Sequence, residues 1–150
     1  MLRLSKMTDY AVVVMGHLAS RPDERQTAAE VAVATGLPSA TGGQALTALG
    51  TGGLVTANRG AHGGYRLARR PDQISVAEIV TALDGPVAIT ACIEGGDDPC
   101  AVESMCLLKS GWDAVNDAIE TALTNVTLAD MLAPLFQFNS PAAKPEEVRP

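Results

Sequence analysis

Three cysteines, Cys92, Cys100 and Cys106, are the residues of this chain whose type and spacing most directly offer chemistry. They fall as C-x7-C-x5-C in a stretch containing Gly and Asp. An odd number of thiols is a poor disulfide framework. Soft thiolates select iron–sulfur clusters, zinc or copper(I). Cys100 and Cys106 stand too far apart for the C-x2-C knuckle of structural zinc sites, whereas a loop of this length can fold around a larger inorganic core. Three buried or redox-inert cysteines would leave the same spacing, so the pattern alone keeps both readings open.

The chain that must position these thiols has 150 residues, 47% hydrophobic, 19% charged and 3% aromatic. That is enough for one globular domain with its own core, with an extension at most. The longest apolar stretch, Tyr10 to Met15, is far short of the roughly 20 residues a bilayer requires, and no signal-peptide pattern opens the sequence. A soluble, cytoplasmic protein with no membrane partner is expected. The net charge of −6 hides an asymmetry: residues 1–70 carry eight basic and four acidic side chains, residues 71–150 three and thirteen. The basic half can meet nucleic-acid phosphate even though the whole is acidic.

Periodicity supplies the elements. Met7, Tyr10, Ala11, Val14 and Leu18 share one helical face, predicting a first helix from about Lys6 to Ala19. Thr27 and Glu30 form a capping box for a short second helix through Val33, which Gly36 breaks. A third helical segment runs from Ser39 to Gly50, so that helix, Gly-containing turn and helix make a helix-turn-helix. Two short strands follow, at residues 54–58 and 65–68. The loop between them holds Gly60, Gly63 and Gly64, expected to supply positive φ, and a hairpin placed here is a wing. Ser75 and Glu78 form a second capping box, for a helix burying Val76, Ile79, Val80 and Leu83.

No period persists from Val87 to Ser110. From Gly111 to Thr124 helical spacing returns, with Trp112, Val115, Ile119, Ala122 and Leu123 on one side and Asp113, Asn116, Asp117 and Glu120 on the other. That stripe is the candidate homodimer seam. Thr127 and Asp130 cap a last short helix, and the proline-containing end is expected to be disordered. The organisation expected is therefore a winged helix-turn-helix over residues 1–85, a cysteine loop over 86–110, dimerisation and terminal helices over 111–135 and a tail over 136–150. The fold class is mainly α with a small β-hairpin.

Several of these segments together resemble the iron–sulfur-sensing winged-helix repressors, the family that includes IscR and the nitric-oxide sensor NsrR. They are the Ser5-Lys6-x-Thr8-Asp9-Tyr10-Ala11-Val12 start, Gly36-Leu37-Pro38, the Arg59-Gly60-x-x-Gly63-Gly64-Tyr65-x-Leu67-Ala68 wing and Ile74-Ser75-Val76-Ala77-Glu78-Ile79, followed by the three cysteines. The likeness covers about residues 1–132. Leu83-Asp84-Gly85-Pro86, Thr90-Ala91-Cys92 and the helix opening Ser110-Gly111-Trp112-Asp113 bring it nearest the regulators of the SUF iron–sulfur assembly operon.

The resemblance implies an iron–sulfur cluster on Cys92, Cys100 and Cys106. Where IscR-like members place a histidine three residues after the third cysteine, this chain has Lys109, whose ammonium cannot ligate. In the NsrR branch an amino-terminal aspartate of the other subunit fills that vacancy, and Asp9 matches it. A hard carboxylate is a labile ligand on iron, suited to a sensor. Asp9 would also serve as a first-turn complement to the helix dipole, and His17 and His62 are further candidates for the fourth ligand. Three cysteines and one carboxylate can hold either a 2Fe–2S or a 4Fe–4S cluster, of which we favour the first.

Double-stranded DNA is the partner the elements imply. Arg59, His62, Arg66, Arg69 and Arg70 bunch on or beside the hairpin, and the resemblance assigns Arg59 to the minor groove. In the readout segment Gln44 can bond adenine bidentately, while Ser39, Thr41 and Thr47 can reach phosphates or base edges. This segment departs from the family pattern: it has no Lys or Arg, and Gly42 and Gly43 weaken a helix by roughly 2 kcal/mol together. No Ser-His-Asp set, Walker loop or dinucleotide fingerprint is present, so no enzyme is expected. The reading is a cluster-sensing repressor of SUF genes. Its rivals are a zinc- or thiol-based regulator of the same fold and a relative deficient in DNA binding.

Overall fold

The computed structural model describes residues 2–93, 101 and 105–137. Helix α1 spans Lys6–Ala19 and starts where Ser5 Oγ accepts the Thr8 amide at 3.2 Å. Its Ala11, Val14, Met15 and Leu18 are buried, the spacing that places all four on one side. Helix α2, Ala28–Thr35, has the expected capping box: the Glu30 amide donates to Thr27 Oγ1 at 3.2 Å and the Thr27 amide to Glu30 Oε2 at 2.7 Å. It runs two residues past Val33 and stops at Gly36, whose φ of 73° ends the helix with a left-handed residue. Helix α3, Ser39–Thr51, follows Pro38 and is unbroken at Gly42-Gly43. Its Ala45, Leu46 and Leu49 complete a core shared with α1 and with Val31 of α2.

Strands β1, Val55–Asn58, and β2, Gly64–Leu67, pair antiparallel with Val55 opposite Leu67 and Asn58 opposite Gly64. After a 3-10 turn at Pro71–Gln73, helix α4, Val76–Asp84, opens on the Ser75–Glu78 capping box and buries Val76, Ile79 and Val80. Leu83 is only half-buried. Helix α5 spans Lys109–Asn125, and α6 spans Leu128–Gln137, two residues beyond the expected start of the tail; residues 138–150 lie outside the described residues. A pairing that periodicity did not predict joins the turn before α4 to the turn before α6: the Val76 amide donates to Val126 O and the Leu128 amide to Ile74 O, each at 2.8 Å. It brings Leu128 and Leu132 into the core.

Helix α5 requires a correction. Asn116, expected on the polar side, is 5% exposed; its Nδ2 donates to Val87 O at 2.9 Å and its Oδ1 accepts the Ile89 amide at 3.1 Å. A helix packed beside an irregular strand of backbone must satisfy that strand's polar groups, and a short amide can do so from an inward position. The expected apolar stripe is correspondingly divided. Ile119 and Leu123 are half-buried and line a cavity with Val80, Val87 and Ile89, while Trp112 and Val115 are 43% and 44% exposed.

Candidate nucleic-acid interface and cysteine loop

Two surfaces carry the side chains singled out by the sequence. The first is α3 with the hairpin. Ser39 and Gln44 are exposed and Thr41 half-buried, and Arg59, His62 and Arg66 are all exposed on the wing. Gly42 is buried, and a Cβ there would meet Ala32 Cβ at an ordinary 3.7 Å; at Gly43 it would meet nothing within 4 Å. Neither glycine is demanded by packing within the chain.

The wing loop is built differently from the expectation of three positive-φ glycines. Gly60 and Gly64 have φ of 107° and 134°, but Gly63 does not lie in that region. Gly63 is needed for space: a Cβ would lie 2.4 Å from the Asn58 carbonyl oxygen. At the base of the wing, the Gln26 amide donates to Tyr65 O at 3.0 Å and the Tyr65 amide to Gln26 O at 2.7 Å. Gln26 is buried and bonded through Oε1 to His17 Nε2 at 2.7 Å. With the Asn58 amide turned to satisfy both its atoms, its oxygen accepts from Arg25 Nη2 at 3.2 Å. Arg25, Gln26 and His17 thus brace the hairpin, a role no local pattern marked.

Not every wing-side cation is available. Arg69 Nη2 lies 2.6 Å from Glu78 Oε1 and its Nη1 donates to Gln73 O at 2.7 Å, while Arg70 pairs with Asp72. Partial burial raises the Glu78 carboxyl, but the Ser75 amide and Arg69 outweigh it and hold the group below its ordinary value. Arg59 and Arg66 have no such internal partner among the salt bridges described.

The second group comprises the two described cysteines and Asp9 of α1, which no described contact brings together within one chain. Cys92 is 8% exposed with its sulfur 3.1 Å from Thr90 Oγ1, and Cys106 is half-buried just ahead of α5. Both are free thiols, and Cys100 lies outside the described residues. Among the described residues no three His, Cys, Asp or Glu side chains converge as a metal set. Asp9 is exposed on the first turn of α1, beside a cavity of about 330 Å³ lined also by Val12, Val76, Ile79 and Met131.

One residue back, the start of α1 is clasped to the end of α4. Asp84 Oδ2 accepts the Ser5 amide at 3.1 Å and the Thr8 hydroxyl at 2.8 Å. Partial burial raises the Asp84 carboxyl, but the bonds from Ser5 and Thr8 together hold it below the usual carboxylate value. Asp84 leads directly into the 87–89 segment that Asn116 secures, so the start of α1 and the approach to Cys92 are each held by a side chain at neighbouring points of the chain.

A helical core, a helix-turn-helix and a β-hairpin wing in this order define a winged-helix DNA-binding regulator. Residues 4–134 match the model of the Rrf2 family, described as iron-dependent transcriptional regulators, and the chain belongs to that family. It is 33% identical over 134 residues to the HTH-type transcriptional repressor NsrR of Streptomyces coelicolor, covering 88% of this chain and 89% of that protein. Among solved structures it is similar to T. potens IscR, with a TM-score of 0.67 and 30% identity over 95% of this chain and 94% of that one. It is also similar to CymR, the global cysteine regulator of B. subtilis, with a TM-score of 0.65 and 27% identity over 89% and 98% of the two chains. These relatives are transcriptional regulators, a non-enzymatic group. No helix among the described residues is long and apolar enough to cross a membrane.

Proposed function

We propose that this regulator is a homodimeric repressor of iron–sulfur assembly genes of the SUF type, whose grip on its operator depends on an iron–sulfur cluster. Cys92, Cys100 and Cys106 would hold the cluster, with the partner subunit's Asp9 as fourth ligand and the 2Fe–2S form favoured. The donor set fits such a group: Cys92 and Cys106 are unpaired thiols at the two flanks of one loop, soft ligands of the kind clusters select. When bound, the cluster supplies a centre whose ligation responds to iron supply or oxidants.

The observation that carries the reading is the mechanical tie between that loop and the DNA-reading unit. Asn116 fixes the 87–89 backbone, Asp84 fastens the end of α4 to the start of α1, and α1 shares its buried face with α3. Gln44, Ser39 and Thr41 would meet the major groove, and Arg59, His62 and Arg66 the phosphates and minor groove. A change in the loop then biases the placement of two reading heads, provided the two arrangements differ in binding free energy.

Iron, sulfide and visible absorption of anaerobically purified protein, read beside operator affinity of loaded and stripped forms, test this. Replacement of any of the three cysteines by Ala is expected to remove the visible absorption and change operator affinity at least fivefold. Colourless, iron-free protein after reconstitution overturns it; zinc in place of iron, or affinity that follows thiol oxidation alone, would establish a thiol- or zinc-based regulator instead.

A further inference from the structure

The exposed side of α3 carries Ala40, Gln44, Thr47 and Thr51, three or four residues apart and therefore on one face, with Gly43 between them. Its two threonine hydroxyls are already engaged. Thr47 Oγ1 donates to Gly43 O at 2.9 Å and Thr51 Oγ1 to Thr47 O at 3.0 Å. A hydroxyl whose single proton is held by the helix's own carbonyl has none left to donate, so it can meet a base only as an acceptor or through its Cγ2 methyl. Ala40 adds another methyl. Gln44 is the one side chain of this face that offers a donor and an acceptor together.

The helix also contains no Lys, Arg, Asp or Glu. Guanine is read mainly by cations on O6 and N7, and cytosine N4 by carboxylates; adenine is read by Gln or Asn on N6 and N7, and thymine by apolar contact with its C5 methyl. We propose that α3 reads A·T pairs. Gln44 Oε1 accepts from adenine N6 while Nε2 donates to N7, and the methyls of Ala40 and Thr47 pack on thymine methyls. Gly43, which nothing inside the chain requires to be glycine, leaves the centre of the face shallow enough for the backbone to approach the bases. The inference rests on α3 being the readout helix of a DNA-binding regulator and names the sequence class it takes.

The test uses the full-length protein to select duplexes from a random pool at low salt, followed by base analogues in the selected site. Half-sites should be A·T at the positions under α3. Replacing thymine there by uracil, which removes only the methyl, should weaken binding several-fold, and 7-deaza-adenine, which lacks N7, about tenfold. The 7-deaza effect should vanish in Gln44→Ala, and Gln44→Arg should turn the same position towards guanine. Gln44 is exposed, so both variants keep the fold, which circular dichroism checks. Selected half-sites with G·C under α3, or indifference to both analogues, overturn the proposal while leaving DNA regulation intact. A pool from which nothing is enriched overturns both together.

Discussion

Asp84 joins groups 79 residues apart in sequence, and it does so with one oxygen. Because its folded carboxyl titrates below the ordinary value, its contribution is present at neutral pH. It is lost as pH falls below about 4, through the folded pKa. Asp84→Ala is therefore expected to lower stability at pH 7 by about 1 kcal/mol, a modest figure because the site is largely exposed and screened. The difference from the parent protein should shrink as pH drops towards 3, and paired thermal melts at pH 7 and pH 3.5 measure it. At residue scale the sequence marked the chemistry-bearing groups by type: the thiols, the exposed arginines and Gln44. It did not mark what Asp84 and Gln26 do, because their partners lie far away in the chain, where spacing carries no signal, and it offered His17 as a ligand candidate where the structure bonds it to Gln26.

The elements that were legible are those whose information is local. Both capping boxes, the apolar face of α1 and the existence of the hairpin lie within a few residues of the groups that create them, although β2 begins at Gly64, one residue before the expected strand. Asn116 was misplaced for the opposite reason: on a helical wheel it falls among Asp113, Asp117 and Glu120, and only the packing of the 87–89 backbone against α5 turns it inward. Its replacement should show this. Asn116→Ala leaves the Ile89 amide and Val87 carbonyl without partners, at a cost of about 1–3 kcal/mol. Hydrogen exchange at Ile89 should accelerate well beyond the global change, whereas exchange within α1 should follow stability alone. The glycines teach a related lesson, since composition indicated a glycine-dependent loop but not that Gly63 answers to the Asn58 carbonyl rather than to φ.

For the whole molecule, the division of α5 matters most. Ile119 and Leu123 face inward, which leaves Trp112 and Val115 as a narrower exposed strip available to a second copy. Val115→Glu is expected to leave the fold intact and shift sedimentation towards the monomer, with operator affinity falling at least tenfold because each single head makes few phosphate contacts. An unchanged sedimentation coefficient would place the seam elsewhere.

The short pairing of Gln26 with Tyr65 makes the wing part of the same rigid piece as the turn between α1 and α2. The hairpin cannot pivot on its own without either breaking its two backbone bonds to Gln26 or pulling Gln26 away from His17. Each chain is in this respect a caliper with fixed jaws: the span from α3 to the base of the wing is set when the chain folds. In the homodimer proposed above, control of promoter recognition would then act on how two calipers are spaced and angled, leaving the opening of each one untouched.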